Sequence, residues 1–181
     1  MPTTEIFFTA VEGGYPNALN GSTAAITNDS TEFFIDLGKS AGYATMEVSE
    51  PSLVSNLLGT TITSLTIVLR NAFGPTNGST VSSQLWHPTT SEYTDALVFE
   101  PPTTNNGELG VIPNEFPLWA KSWTPDDVFN TKILLNNPQE QSGGIALRST
   151  FIYLMVGYDE RPGRVRLDQG RVYFKSGKIE L

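Results

Sequence analysis

The sequence predicts an all-β protein: an antiparallel β-sandwich of jelly-roll type with a C-terminal β-meander built from seven-residue glycine repeats. Three observations predict it. Helical periodicity is nearly absent, while short β-branched and aromatic runs alternate with clusters of Gly, Pro, Asn and Ser. Period two is clear in two segments. In 31–37, Phe33, Ile35 and Leu37 point one way and Glu32, Phe34 and Asp36 the other; in 62–70, Leu65, Ile67 and Leu69 stand opposite Thr66, Val68 and Arg70. Third, Gly163, Gly170 and Gly177 lie seven residues apart, each followed by a base, an aliphatic, any residue and a large apolar one.

In chain order, strands are expected at 5–11, 31–37, 44–48, 62–70, 96–100, 131–135 and 149–158. Phe151-Ile152-Tyr153-Leu154-Met155-Val156 is apolar on both faces, so it reads as a central strand covered on each side. Two long turn-rich tracts, 71–94 and 101–127, read as functional loops rather than idle connectors. A short helix is expected at Thr124-Pro125-Asp126-Asp127, where an N-cap threonine, an N1 proline and an acidic first turn coincide. Residues 52–58, with Gly59 behind them, are a second helical candidate.

The glycine repeat is most specific as a meander. Two-residue loops at Gln169-Gly170 and Ser176-Gly177 would pair Leu167 with Val172, Val165 with Phe174, Phe174 with Ile179 and Val172 with Leu181. Glycine then takes the second loop position, where positive φ is needed. One face carries Val165, Leu167, Val172, Phe174, Ile179 and Leu181; the other carries Arg164, Arg166, Tyr173 and Glu180. The same period also suits parallel stacking in an intertwined oligomeric shaft, or a plain terminal hairpin added to the main sheet. A three-stranded sheet with one apolar face does not stand alone, so it must dock on something. Arg161-Pro162-Gly163 forms a natural break. The chain therefore divides into a sandwich body, 1–160, and an assembly arm, 161–181.

Charge follows the same division. The arm holds six bases against two acids, net +4; the other 160 residues hold 5 bases and 17 acids, net −12. A basic segment invites nucleic acid, but this one alternates Arg164, Arg166 and Arg171 with core-type residues, and a phosphate-binding arm needs no apolar face. An acidic neighbouring copy of the same protein is the simpler partner. At 39% hydrophobic residues, the 181-residue chain can bury a real core. The absence of cysteine excludes disulfide staples, thiolate metal sites and cysteine catalysis. The start shows neither a basic n-region nor a long apolar run, so no signal peptide and no membrane span are expected.

No convincing active site emerges, and neither a metal nor a cofactor is expected. The lone histidine, His87, sits in Leu85-Trp86-His87-Pro88 and reads as a loop packing residue. Asp126 and Asp127 with Asn130 could bind calcium or supply one carboxylate of a glycosidase pair, but helix capping already accounts for both acids. Glu92 and Asp95 read as solvated loop positions. Trp86 and Tyr93 in the first tract, and Trp119 and Trp123 in the second, form a possible ligand loop: such rings stack on sugars or anchor an interface, unless they close the ends of the core.

The run Ile62-Thr63-Ser64-Leu65-Thr66-Ile67-Val68-Leu69-Arg70, then Leu85-Trp86, Leu118-Trp119, Ser122-Trp123-Thr124-Pro125-Asp126-Asp127-Val128 and Ile152-Tyr153-Leu154-Met155-Val156-Gly157-Tyr158, resembles a β-sandwich type of bacteriophage virion proteins. The short glycine-base-aliphatic repeat is similar to phage fibre and appendage tails. The resemblance implies a non-enzymatic virion component, assembled in the host cytoplasm: a capsid decoration or cement protein, a head fibre, or a tail or receptor-binding part. The apolar face of the arm predicts further copies of the chain as partners, a trimer foremost, and the resemblance adds other virion proteins. A carbohydrate-binding or host-receptor lectin using Trp86, Tyr93, Trp119 or Trp123 on a host-surface glycan is the alternative. The shared positions carry no functional residue across.

Overall fold

The computed structural model describes residues 2–13, 26, 33–37, 45–72, 74, 80–103, 108–111, 122–136, 144–159, 165–168 and 171–174. Among these the strands are β1 (Thr3–Gly13), β2 (Phe33–Leu37), β3 (Thr45–Pro51), β4 (Thr61–Arg70), β5 (Val81–His87), β6 (Glu92–Tyr93), β7 (Leu97–Phe99) and β8 (Glu108–Val111). One helix, α1 (Pro125–Phe129), follows, and then β9 (Ile133–Asn136), β10 (Gly144–Ser149), β11 (Phe151–Asp159), β12 (Val165–Asp168) and β13 (Arg171–Phe174). The protein is all-β. Nine strands join in one curled antiparallel sheet of order β6-β5-β9-β3-β1-β11-β4-β8, with β7 also on β5.

The curl turns on β1. Its first half, Thr3 to Phe7, pairs with β11, and its second half, Phe8 to Gly13, pairs with β3. One strand thus serves two edges, and the core lies inside the bend. A single buried cluster takes Met46, Val48, Val81, Leu85, Ile133 and Leu135 from one half and Leu65, Ile67, Leu69, Ile152, Leu154 and Val156 from the other. Period two on β4 is borne out: Leu65, Ile67 and Leu69 enter that core, while Val68 joins a second cluster with Phe151 and Tyr153. The apolar run at 151–156 is a central strand, as expected, because β1 and β4 flank it and both its faces are covered.

Several expectations need correction. The tract 71–94 is not a loop throughout, since it contains β5 and β6. Ser82 and Ser83 hide that strand in the sequence. Pairing with β9 on one edge and with β6 and β7 on the other imposes it, and Ser82 Oγ donates 3.3 Å to the carbonyl of Asn136. In the tract 101–127, β8 pairs with β4. The strand read as 149–158 is β11, starting two residues later: Ser149 ends β10, and the chain turns at Thr150, whose N–H donates 2.9 Å to the Arg70 carbonyl. The helix expected at 52–58 is only a 3-10 turn, Ser55–Leu57. Ser52 cannot cap a helix there because it is tied to β1: its N–H donates to Phe7 O at 2.7 Å and its hydroxyl accepts from Phe7 N at 3.2 Å. Gly59, at φ 71°, then turns the chain into β4.

β12 and β13 form a separate two-stranded sheet with Val165 opposite Phe174 and Leu167 opposite Val172. Both pairs match the register read from the repeat. The third repeat, with Ile179 and Leu181, and the preceding Arg164 lie outside the described residues.

Candidate functional site

The helix expected at Thr124 forms for the reasons given in the sequence. Thr124 is extended at φ −101°, ψ 162°, and its Oγ1 accepts from the Asp127 N–H at 3.1 Å. Asp127 Oδ2 in turn accepts from the Thr124 N–H at 2.9 Å and from its hydroxyl at 2.6 Å, closing a reciprocal capping box. Asp127 Oδ1 accepts from Thr89 Oγ1 at 2.5 Å. Both carboxylate oxygens are thus engaged by the cap and by the β5–β6 loop. Asp126 is exposed, and its backbone carbonyl accepts from Asn130 Nδ2 at 2.8 Å. The calcium reading of Asp126, Asp127 and Asn130 has no shared centre. No group of three or more His, Cys, Asp or Glu side chains that could hold a metal occurs among the described residues.

His87 meets this cap from the sheet side. It is 2% exposed, its ring lies edge-on to Trp123 at 4.6 Å, and Nε2 stands 4.0 Å from Asp127 Oδ2. Nδ1 accepts from the Thr90 N–H at 3.3 Å. The ring therefore pins the loop 88–91, which returns through Ser91 at φ 54°. Burial pushes the Asp127 carboxyl up, but the Thr124 and Thr89 hydroxyls, the Thr124 N–H and the nearby His87 outweigh it and hold the group below its ordinary value. The Trp123 ring is 6% exposed and belongs to the main core. Of the two readings of Trp123, its burial favours closure of the core over a ligand loop.

A different group faces outward. Alternation on β5 sends Leu85 and His87 into the core and leaves Trp86 half-buried on the outer face. Opposite it on β6 stands Tyr93, and the two rings meet edge to face at 5.0 Å. Tyr93 donates its hydroxyl to Glu47 Oε2 on β3, and Lys132 Nζ lies 2.9 Å from Glu47 Oε1. Burial raises the Glu47 carboxyl, but hydrogen bonds from Lys132 and Tyr93 and the Lys132 charge bring it below its ordinary value. The result is an aromatic pair beside an oriented ion pair. The structure thus brings together two of the four ligand-loop aromatics; Trp119 lies outside the described residues. Sequence reading missed Glu47 and Lys132, which stand 85 residues apart and meet only through strand pairing. Glu92 and Asp95 are exposed, as read. No helix among the described residues is long and apolar enough to cross a membrane.

No family model matches the chain, and a search of curated proteins finds no match.

Proposed function

We propose that this chain is a structural component of a bacteriophage particle that works through protein–protein interfaces, as a capsid decoration or cement protein, a head fibre or a tail part. In this reading the two halves of the curled sheet are the layers of a jelly-roll-like sandwich. The arm 161–181 extends the β12–β13 hairpin by a third repeat and joins copies of the chain, a trimer foremost, to one another and to other virion proteins. The observation that carries it is the hairpin: β12 and β13 form a sheet of their own, pairing Val165 with Phe174 and Leu167 with Val172, and among the described residues neither strand pairs with another sheet. A two-stranded ribbon is marginal by itself. Its apolar side chains are worth about 1.5–3 kcal/mol each once buried, enough to hold an interface. The charge division, +4 against −12, supplies attraction between arm and body.

Sedimentation tests this. The full chain should run as an oligomer, and removal of 163–181 should give a monomer with an unchanged melting temperature. An oligomer that survives truncation while the melting temperature drops sharply would show the arm to be part of its own body.

A second reading rests on the Trp86–Tyr93 pair. Half-exposed rings beside a fixed carboxylate and ammonium suit a sugar, which offers C–H faces for stacking and hydroxyls for hydrogen bonds. A glycan array decides it: binding lost in Trp86→Ala at unchanged stability supports a lectin, and a blank array removes it.

A further inference from the structure

Phe7 is an apolar side chain on the open surface of an otherwise closed cluster. On the outer side of β1, β11 and β4, its ring lies 5.6 Å from Phe151 and 6.1 Å from Tyr153, and the Arg70 guanidinium stands 5.6 Å from both of those rings. Phe151 and Tyr153 are buried, yet Phe7 is 40% exposed. Ser52, which bonds both the N–H and the carbonyl of Phe7, carries Leu53 next to it, 81% exposed. The rim is acidic. Glu5, exposed, lies two positions along the same strand, about 7 Å away on the same side. Glu50 is exposed and held at φ 56°, with Thr9 Oγ1 donating to it at 3.2 Å. An apolar centre with an acidic rim calls for a partner that is apolar with basic flanks.

The chain contains one such segment. The arm interleaves Arg166 and Arg171 with Val165, Leu167, Val172 and Phe174, and among the described residues its two strands pair with neither of the other sheets. We infer that the surface formed by Phe7 and Leu53, rimmed by Glu5 and Glu50, receives the C-terminal arm of a second copy of this chain. The inference rests on the assembly reading above and adds the site at which the arm lands. The contact is head to tail, arm to body, so the two halves can be broken separately.

The test uses the full chain and two double variants. Phe7→Ser/Leu53→Ser removes the receiving surface, and Arg166→Glu/Arg171→Glu spoils the arm; each should weaken self-association at least about tenfold. Mixed together, they should form complexes again, because the intact arm of the first meets the intact surface of the second. Wild-type association by the surface variant would overturn the inference, and if truncation of 163–181 still dissolved the assembly, the arm reading would stand without this surface. No recovery on mixing would overturn it too, showing that arm and surface do not meet between chains. Should the surface variant fail to fold, Glu5→Lys/Glu50→Lys replaces it. That change should weaken association alone and restore it when combined with Arg166→Glu/Arg171→Glu in one chain; failure of the charge swap to restore it would sink the idea.

Discussion

On the Asp127 carboxylate three hydrogen bonds converge, two from Thr124 and one from Thr89, and they join a helix start to a hairpin loop 38 residues away. Local bonds to Thr124 follow from the spacing of a capping box and are legible in the sequence; the bond to Thr89 and the approach of His87 are not, because they depend on the end of β5 and the loop after it reaching α1. Thr124→Ala should cost about 0.5–2 kcal/mol of stability, as loss of an N-cap does, measured by denaturant unfolding. Asp127→Asn should cost more, since it also weakens the hold on Thr89. The pH dependence has a definite sign. The folded carboxyl titrates below its ordinary 3.8, so its contribution is fully present above that value and is lost as pH falls through the depressed folded one. The melting temperature of the native chain should therefore fall below about pH 4 more steeply than that of Asp127→Asn.

At the scale of elements, β11 is the strand on which the sheet depends. It pairs with β1 on one side and β4 on the other, and Ile152, Leu154 and Val156 face the core. Leu154→Ala should cost about 2–5 kcal/mol, the range for large-to-small changes in a packed core. Gly157 marks a register shift against β4, where an added Cβ would run into Ser64 Oγ. Gly157→Ala should destabilise by about 1–3 kcal/mol, and Ser64→Ala in the same chain should recover part of the loss; equal stability of the single and double variants would show the crowding lies elsewhere. β4 and β11 are readable from sequence because their apolar residues run long and in step. β5 is not: Ser82, Ser83 and Gln84 break its pattern, and the neighbours β9, β6 and β7 supply the bonds that hold it extended. The outer-face ion pair is of the same kind, since Glu47 and Lys132 carry no local signature.

For the whole molecule, the separation of charge bears on the proposed assembly. Attraction between a +4 arm and a −12 body is screened by salt, the Debye length shrinking from about 10 Å at 0.1 M to about 3 Å at 1 M. The oligomer should loosen across that range, as read by sedimentation, while the apolar part of the contact persists; an assembly indifferent to salt would remove the charge argument. Local order along the chain specified much of this architecture. Alternation made β4, an unbroken apolar run made β11, and a proline and two acids after Thr124 made α1, because each depends on residues only a few positions apart. Long-range pairing settled the rest. β1 divides its two halves between β11 and β3, His87 and Trp123 are drawn inward while Trp86 and Tyr93 stay out, and Phe7 is left at the edge of a closed aromatic cluster. Such outcomes depend on which strands become neighbours. That choice is made by burial of the common core, a sum over residues far apart in the chain, and no short stretch of sequence carries it.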